Sequence, residues 1–299
     1  MLQNKYTLTI ICIILHLNFL SSQEYQFIGD TIEIEMNGYK GGIVQWQQSL
    51  DKVNWTDIPG SNKVKQDIII KQKGYFRAKV TNCEELSYSD TTTFTIYNKP
   101  LKIGVFGGSI SSTPESETAK KIWLDTLSRE FFSVETKGVG GAGFSSLTKY
   151  SVPNQIRLAK PYDIYVLWAS TNDYYSKAPV GDYSTNDTTT MIGGIKYAIN
   201  IIKQKNEDAL IVFFTSLPFY YKDDNFPIYV SNQKKFCEIN NIPVLDQNTI
   251  FGISYLNPSQ EVYFTSDKTH VSNEGYAYIG PMQAQFLKKE ILRFFFKKF

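Results

Sequence analysis

The stretch KIGVFGGSISS, residues 102–112, decides how this chain is to be read. Ile103 to Phe106 is an unbroken apolar run except for Gly104. It stops at Gly107 and Gly108, and Ser109 follows at once. A short apolar run closed by glycines reads as a strand buried on both faces, the kind found in parallel sheets covered by helices. In such sheets the chemistry gathers beyond the carboxyl ends of the strands. Ser109 stands at that end, behind two residues with no side chains. Taken alone it reads more readily as a helix N-cap than as a nucleophile.

The residues downstream keep the same grammar. Helical spacing of Ile122, Leu124, Leu127 and Phe131 predicts a helix over 115–131. Strands are expected at 132–138, 162–170, 209–216 and 242–247, with helices between them and a closing helix from Ser272, kinked at Pro281. Strands alternating with helices predict a parallel sheet with both faces covered.

Upstream the grammar differs. TIEIEM (31–36) alternates, and IVQWQQS (43–49), DIIIKQ (67–72), YFRAKV (75–80) and TTFTIY (92–97) follow at short intervals, separated by turn signals such as NGYKGG and PGSNK. Short strands at this spacing predict a small β-sandwich over 23–98, with 98–100 as linker. Trp46 is expected in its core. Trp55 is either core or a surface on which a sugar stacks.

The first 22 residues read as a secretory leader. Lys5 precedes an apolar run at 7–20 and small residues follow it. That run is shorter than a membrane span and is broken by His16 and Asn18. The protein is therefore expected to be exported, to the periplasm, the cell surface or the medium. Export leaves Cys83 and Cys237, expected as buried free thiols, and a single histidine, His270. One histidine excludes a His-rich zinc site, and no metal or cofactor is expected. A net charge of +2 over 299 residues gives no electrostatic case for a nucleic-acid partner. Aromatic content of 15% suits both a packed interior and carbohydrate-facing surfaces, and does not separate them.

GVGGAG (138–143) formally matches the dinucleotide fingerprint G-x-G-x-x-G. Its context argues against that reading. It follows the second strand of the α/β part, no long helix opens from it before Pro153, and the next acid, Asp163, starts a strand where it should end one. G-x-S-x-G and the P-loop are absent.

Four blocks remain, in order: GGSIS (107–111), GVGGAG (138–143), STNDYY (170–175) and DKTH (267–270). Each follows an expected strand or lies in a loop on the same sheet edge. With these blocks the chain resembles the SGNH/GDSL hydrolase family over residues 101–299. The resemblance implies a three-layer α/β/α, flavodoxin-like domain and a serine esterase without cofactor. Matched residue by residue, Ser109 is the nucleophile, His270 the base and Asp267 its partner. Ser109 N–H, Gly141 N–H and the Asn172 side chain form the oxyanion hole. Two positions depart from the pattern: Gly108 stands where the family has Asp, and Ser170 where its third block has Gly. The segment before residue 100 resembles immunoglobulin-like modules attached to secreted bacterial hydrolases, on VQWQQSLDKVNWTDIPGS and GYFRAKVTN, without the paired cysteines of antibody domains.

Chemistry supports the same assignment. A serine hydroxyl attacks only when a base takes its proton. The base needs an acceptor on its far nitrogen, and the developing oxyanion needs donors already in place. The resemblance and the attached module together imply short acyl esters as substrates, O-acetyl groups on carbohydrate above all. The alternatives are a lipase or lysophospholipase acting on longer chains, and an inactive glycan-binding or adhesion protein.

Overall fold

The computed structural model of the chain describes residues 25–26, 29–82, 85–96, 101–127, 132–218, 225–253 and 257–296. The expected leader, the linker and Cys83 lie outside the described residues.

The opening stretch is a buried strand, β1 (Leu101–Gly107). It pairs on one side with β2 (Phe132–Thr136) and on the other with β3 (Ile164–Trp168). β4 (Leu210–Phe214) and β5 (Val244–Leu245) extend the sheet, giving the order β2-β1-β3-β4-β5 with every pair parallel. Alternate residues divide between the two faces, as the strand's period of two requires. Ile103, Val105, Ile164, Val166, Val212 and Phe214 enter one core with Trp123 and Leu127 of α1 (Ser116–Leu127). Phe106, Tyr165, Leu167, Ile211 and Phe213 enter the other. They meet Ile156 of α2 (Val152–Leu158) there, on the opposite face.

α3 (Asn172–Tyr175) is a single turn after β3. α4 (Met191–Lys205) buries Ile192, Ile195, Ala198 and Ile202 in the second core, and α5 (Phe226–Ile239) adds Phe236 and Cys237. α6 (Gln247–Ile250) follows β5. α7 (Asn273–Phe296) covers the first face beside α1. It begins where the Ser272 hydroxyl accepts from Gly275 N at 3.0 Å, and it runs through Pro281. Phe286, Phe294 and Phe295 of its aromatic end pack against the core. Among the described residues no helix is long and apolar enough to cross a membrane.

The fifth strand is shorter than its sequence suggests. Pro243 has no N–H to give to a ladder, and although Phe213 N still reaches its carbonyl at 2.9 Å, regular pairing starts only at Val244. Cys237 is a buried free thiol, as expected, and burial pushes its titration up.

Among the described residues the N-terminal part has two antiparallel sheets around a separate core and a short parallel pair, Tyr25–Gln26 with Thr95–Ile96. Thr31–Glu35 pairs with Lys65–Ile69. Ile43–Ser49 pairs with Thr56–Asp57 and Tyr75–Asn82, and the last with Glu85–Tyr88 and Thr92–Thr93. Ile32, Ile34, Val44, Trp46, Ile68, Phe76 and Val80 fill the space between. Trp46 is core as expected, its indole N–H donating to Lys63 O at 2.8 Å. Trp55 is half-buried and outside the core, and the Arg77 guanidinium lies 4.0 Å from its ring centroid. Lys288 of α7 meets Asp30 at 2.7 Å, joining the two parts.

Candidate active site

In an open parallel sheet the crevice forms where the strand order reverses. For the order 2-1-3-4-5 that point lies between β1 and β3. Ser109 follows β1 and Asn172 follows β3, so the topology brings the first and third blocks together. The second block is delivered by continued pairing beyond β2. Lys137 N donates to Val105 O at 2.8 Å and Val139 N to Gly107 O at 3.0 Å. Gly140 and Gly141 therefore pass beside Ser109, and a Cβ on Gly140 would lie 4.0 Å from that of Ser109. Gly141 has φ +83°, a conformation that lets the loop turn back toward Ala142.

Ser109 opens a single 3₁₀ turn, Ser109–Ser111, whose N-cap is Gly108. It is therefore not the cap. Its Oγ lies 2.7 Å from His270 Nε2, across 161 residues of sequence. His270 Nδ1 lies 2.6 Å from Asp267 Oδ2. The DKTH loop closes on itself for local reasons. Phe264 and Val271 form an antiparallel bridge, Thr265 N donates to His270 O at 2.9 Å, and Lys268 takes the turn at φ +62°. The Asp267 carboxylate is the hub of this loop. Its Oδ1 accepts from Thr265 Oγ1 at 2.7 Å and from the backbone N–H groups of Thr269 and His270, both at 2.9 Å.

Partial burial opposes ionisation of Asp267. The His270 N–H, the His270 ring, the Thr265 hydroxyl and the Thr269 N–H outweigh it and hold the carboxyl well below the usual range. An ionised Asp267 only accepts, so Nδ1 carries the hydrogen and Nε2 presents its lone pair to the Ser109 hydroxyl.

Asn172 places its side-chain nitrogen 2.8 Å from Ala142 O and 2.9 Å from Ser170 Oγ. Its neighbour Asp173 is fully buried, and its two carboxylate oxygens accept from Phe144 N at 2.9 Å and Ser145 N at 2.7 Å. Burial raises this acid to about 6 against those two donors. Asp173 thus ties the second block to the third. Gly143 makes room for it, since a Cβ there would lie 2.8 Å from the carboxylate carbon. Gln155 braces the end of β1, its amide accepting from Gly107 N at 3.3 Å and donating to Gly107 O at 3.0 Å. The Tyr276 hydroxyl donates to Ile110 O just after Ser109.

All five residues singled out in the sequence, Ser109, Gly141, Asn172, Asp267 and His270, line the same edge of the sheet. Of the supporting residues, Ser170 stood out in the sequence only as a departure from the resembled pattern, and Gln155, Asp173 and Tyr276 did not stand out. Among the described residues no group of three or more His, Cys, Asp or Glu side chains is placed to hold a metal ion.

A three-layer α/β/α unit with a parallel sheet and a Ser-His-Asp array at its switch point is the class that fold and site define. A family model described as a domain of unknown function, DUF8696, matches residues 21–98. None of the curated proteins compared with the sequence matches it. Among solved structures, one crystal structure is 21% identical, covering 64% of this chain and 97% of its own, with a TM-score of 0.56. A protein from Lactobacillus plantarum is 16% identical, covering 64% and 99%, with a TM-score of 0.53. A Bacteroides ovatus protein described as GDSL-like is 15% identical, covering 64% and 100%, with a TM-score of 0.48. The first two likenesses show a shared fold over about two thirds of the chain, and at such identities the fold alone.

Proposed function

We propose that this protein is a secreted serine esterase of the SGNH/GDSL type. In this reading residues 1–22 are a leader, 23–98 an immunoglobulin-like β-sandwich and 101–299 the hydrolase. The observation that carries the reading is the chain of contacts Ser109 Oγ, His270 Nε2, His270 Nδ1, Asp267 Oδ2, at 2.7 and 2.6 Å. Ser109 attacks an ester carbonyl while His270 takes its proton. The charged imidazole is stabilised by ionised Asp267. The tetrahedral oxyanion is met by Ser109 N–H, Gly141 N–H and the Asn172 amide. His270 then passes its proton to the departing alcohol, and an acyl-enzyme remains on Ser109. Water, activated by the same imidazole, releases the acid.

Substrate choice rests on the resemblance and on the attached β module: a short acyl group, O-acetyl on carbohydrate. The test is hydrolysis of p-nitrophenyl esters from acetyl to long-chain, followed by acetate release from acetylated polysaccharides. Acetyl preference with acetate release supports the reading. Preference for long chains replaces it with a lipase. A folded Ser109→Ala variant that keeps wild-type turnover overturns the Ser109 mechanism, and no hydrolysis by the wild type overturns the esterase reading in favour of a binding protein.

A further inference from the structure

Asn172 can act as an oxyanion donor only if an amide hydrogen is left over from its internal contacts. Three distances decide this. Asn172 Nδ2 is 2.8 Å from Ala142 O and 2.9 Å from Ser170 Oγ, and Ser170 Oγ is 2.8 Å from Ala142 O. The triangle is nearly equilateral, so the two acceptors subtend about 60° at the nitrogen. The two N–H bonds of a planar amide diverge by about 120°. The two hydrogens therefore cannot both point straight at these acceptors, and an orientation in which one hydrogen serves both leaves the other to donate elsewhere. Ser170 donates its own hydrogen to Ala142 O, which turns its lone pairs toward Asn172 Nδ2 and Asn172 N, the latter at 3.3 Å.

Gly108 belongs to the same unit. A Cβ on it would lie 2.8 Å from Asn172 Nδ2, 2.9 Å from Ala142 O and 2.9 Å from Ser170 Cβ. These are the three residues of the triangle. The volume beside the nucleophile that a side chain at 108 would enter is bounded by Ser170, which is itself buried and held by Ser216 Oγ donating to its carbonyl at 2.9 Å. The two departures from the resembled pattern, at 108 and at 170, thus meet in one small space.

We infer that Ser170 is the positioning residue for the Asn172 oxyanion donor, and that Gly108 is coupled to it. Ser170 fixes the amide plane, and Gly108 keeps the carbon-free space in which that plane sits. This rests on the esterase reading above.

The test is a set of variants assayed on p-nitrophenyl acetate, with thermal melting for each. Ser170→Ala should lower kcat about 5- to 15-fold with KM within twofold, the effect of losing one hydrogen bond that orients a donor. In an Asn172→Ala background the same change should cost less than twofold, because the group it positions is gone. Ser170→Cys, similar in size and a weaker acceptor, should fall between wild type and Ser170→Ala, and it supplies the comparison if Ser170→Ala does not fold. Gly108→Ala should lower kcat more than Ser170→Ala does, and adding Ser170→Gly should bring kcat back toward the Ser170→Ala level and not beyond it, because that pair lacks the positioning hydroxyl. Full kcat in Ser170→Ala, or equal losses with and without Asn172, overturns the positioning role. No recovery in the Gly108→Ala, Ser170→Gly pair overturns the coupling. A wild type without Ser109-dependent hydrolysis overturns the esterase reading, and this inference with it.

Discussion

Replacing Asp267 by Asn isolates the tautomer of His270 from the rest of the site. The asparagine is isosteric, and its orientation is dictated by the loop. Thr265 Oγ1 and the N–H groups of Thr269 and His270 all donate to the Oδ1 position. The amide oxygen must occupy that position, which leaves the amide nitrogen facing His270 Nδ1 at the place now 2.6 Å away. That nitrogen donates, so Nδ1 must give up its hydrogen and Nε2 must carry it. Nε2 then donates to Ser109 and is no longer a base. In the worked serine-protease template such a change lowers kcat about 10⁴-fold, or about 5 kcal/mol. The Asp267 side chain here is 53% exposed and that of His270 28%, so water competes for the imidazole and the expected loss is smaller. We expect kcat to fall about 10³-fold with KM within threefold. Asp267→Ala should lose less than Asp267→Asn, since water at the vacated place permits either tautomer. The assay is p-nitrophenyl acetate hydrolysis with Ser109→Ala as the floor. Nitrogen-15 spectra of a chain lacking residues 1–22 would report the protonated ring nitrogen of His270 directly. If Asp267→Asn keeps kcat within tenfold of wild type, or its Nε2 stays unprotonated, the tautomer argument is wrong.

Four further outcomes are expected. Ser109→Ala should lose turnover while its melting temperature and circular dichroism stay those of the wild type. Asn172→Ala should lower kcat by roughly 10²–10³, with KM little changed. A change confined to KM would instead mark Asn172 as a ground-state contact. No acid limb of activity should come from Asp267, which is held well below the usual carboxylate range and stays ionised. If His270→Ala keeps wild-type rates with the same acid limb, His270 is not the base. Asp173 is raised to about 6, above its unfolded value of 3.8, so its protonated form favours the fold. Its contribution to stability is greatest below the unfolded value and declines as pH rises toward 6. Asp173→Asn should flatten that part of the stability profile, read from denaturant midpoints between pH 4 and 7. The cost of the substitution should be largest at the acid end and shrink as pH rises toward 6, because only the wild type loses stability over that range. An unchanged pH profile in Asp173→Asn would show that Asp173 does not set it.

The sequence by itself determined whatever depends on near neighbours. The run from Ile103 to Phe106 announces a doubly buried strand because burial on two faces leaves no polar position. Gly107 and Gly108 announce its end, and the three-residue spacing of Asp267 and His270 suffices for a loop that closes on itself. The alternating short strands before residue 97 announce a separate β unit, apart from the exposed strand Glu85–Tyr88, whose residues show no buried alternation. Tertiary structure decided the rest. Nothing local places β3 beside β1, yet that neighbourhood makes the crevice and sets Asn172 near Ser109. The Ser109 to His270 contact spans 161 residues, Gln155 reaches Gly107 across 48, and Asp173 reaches Phe144 across 29. Such contacts leave no periodicity in a chain, because their geometry is set by how sheets and helices stack. Ser170 is the sharpest case. In the sequence it is only a departure from a pattern. In the fold its hydroxyl, the carbonyl of Ala142 and the amide of Asn172 form one triangle, and Gly108 lies against it without a side chain.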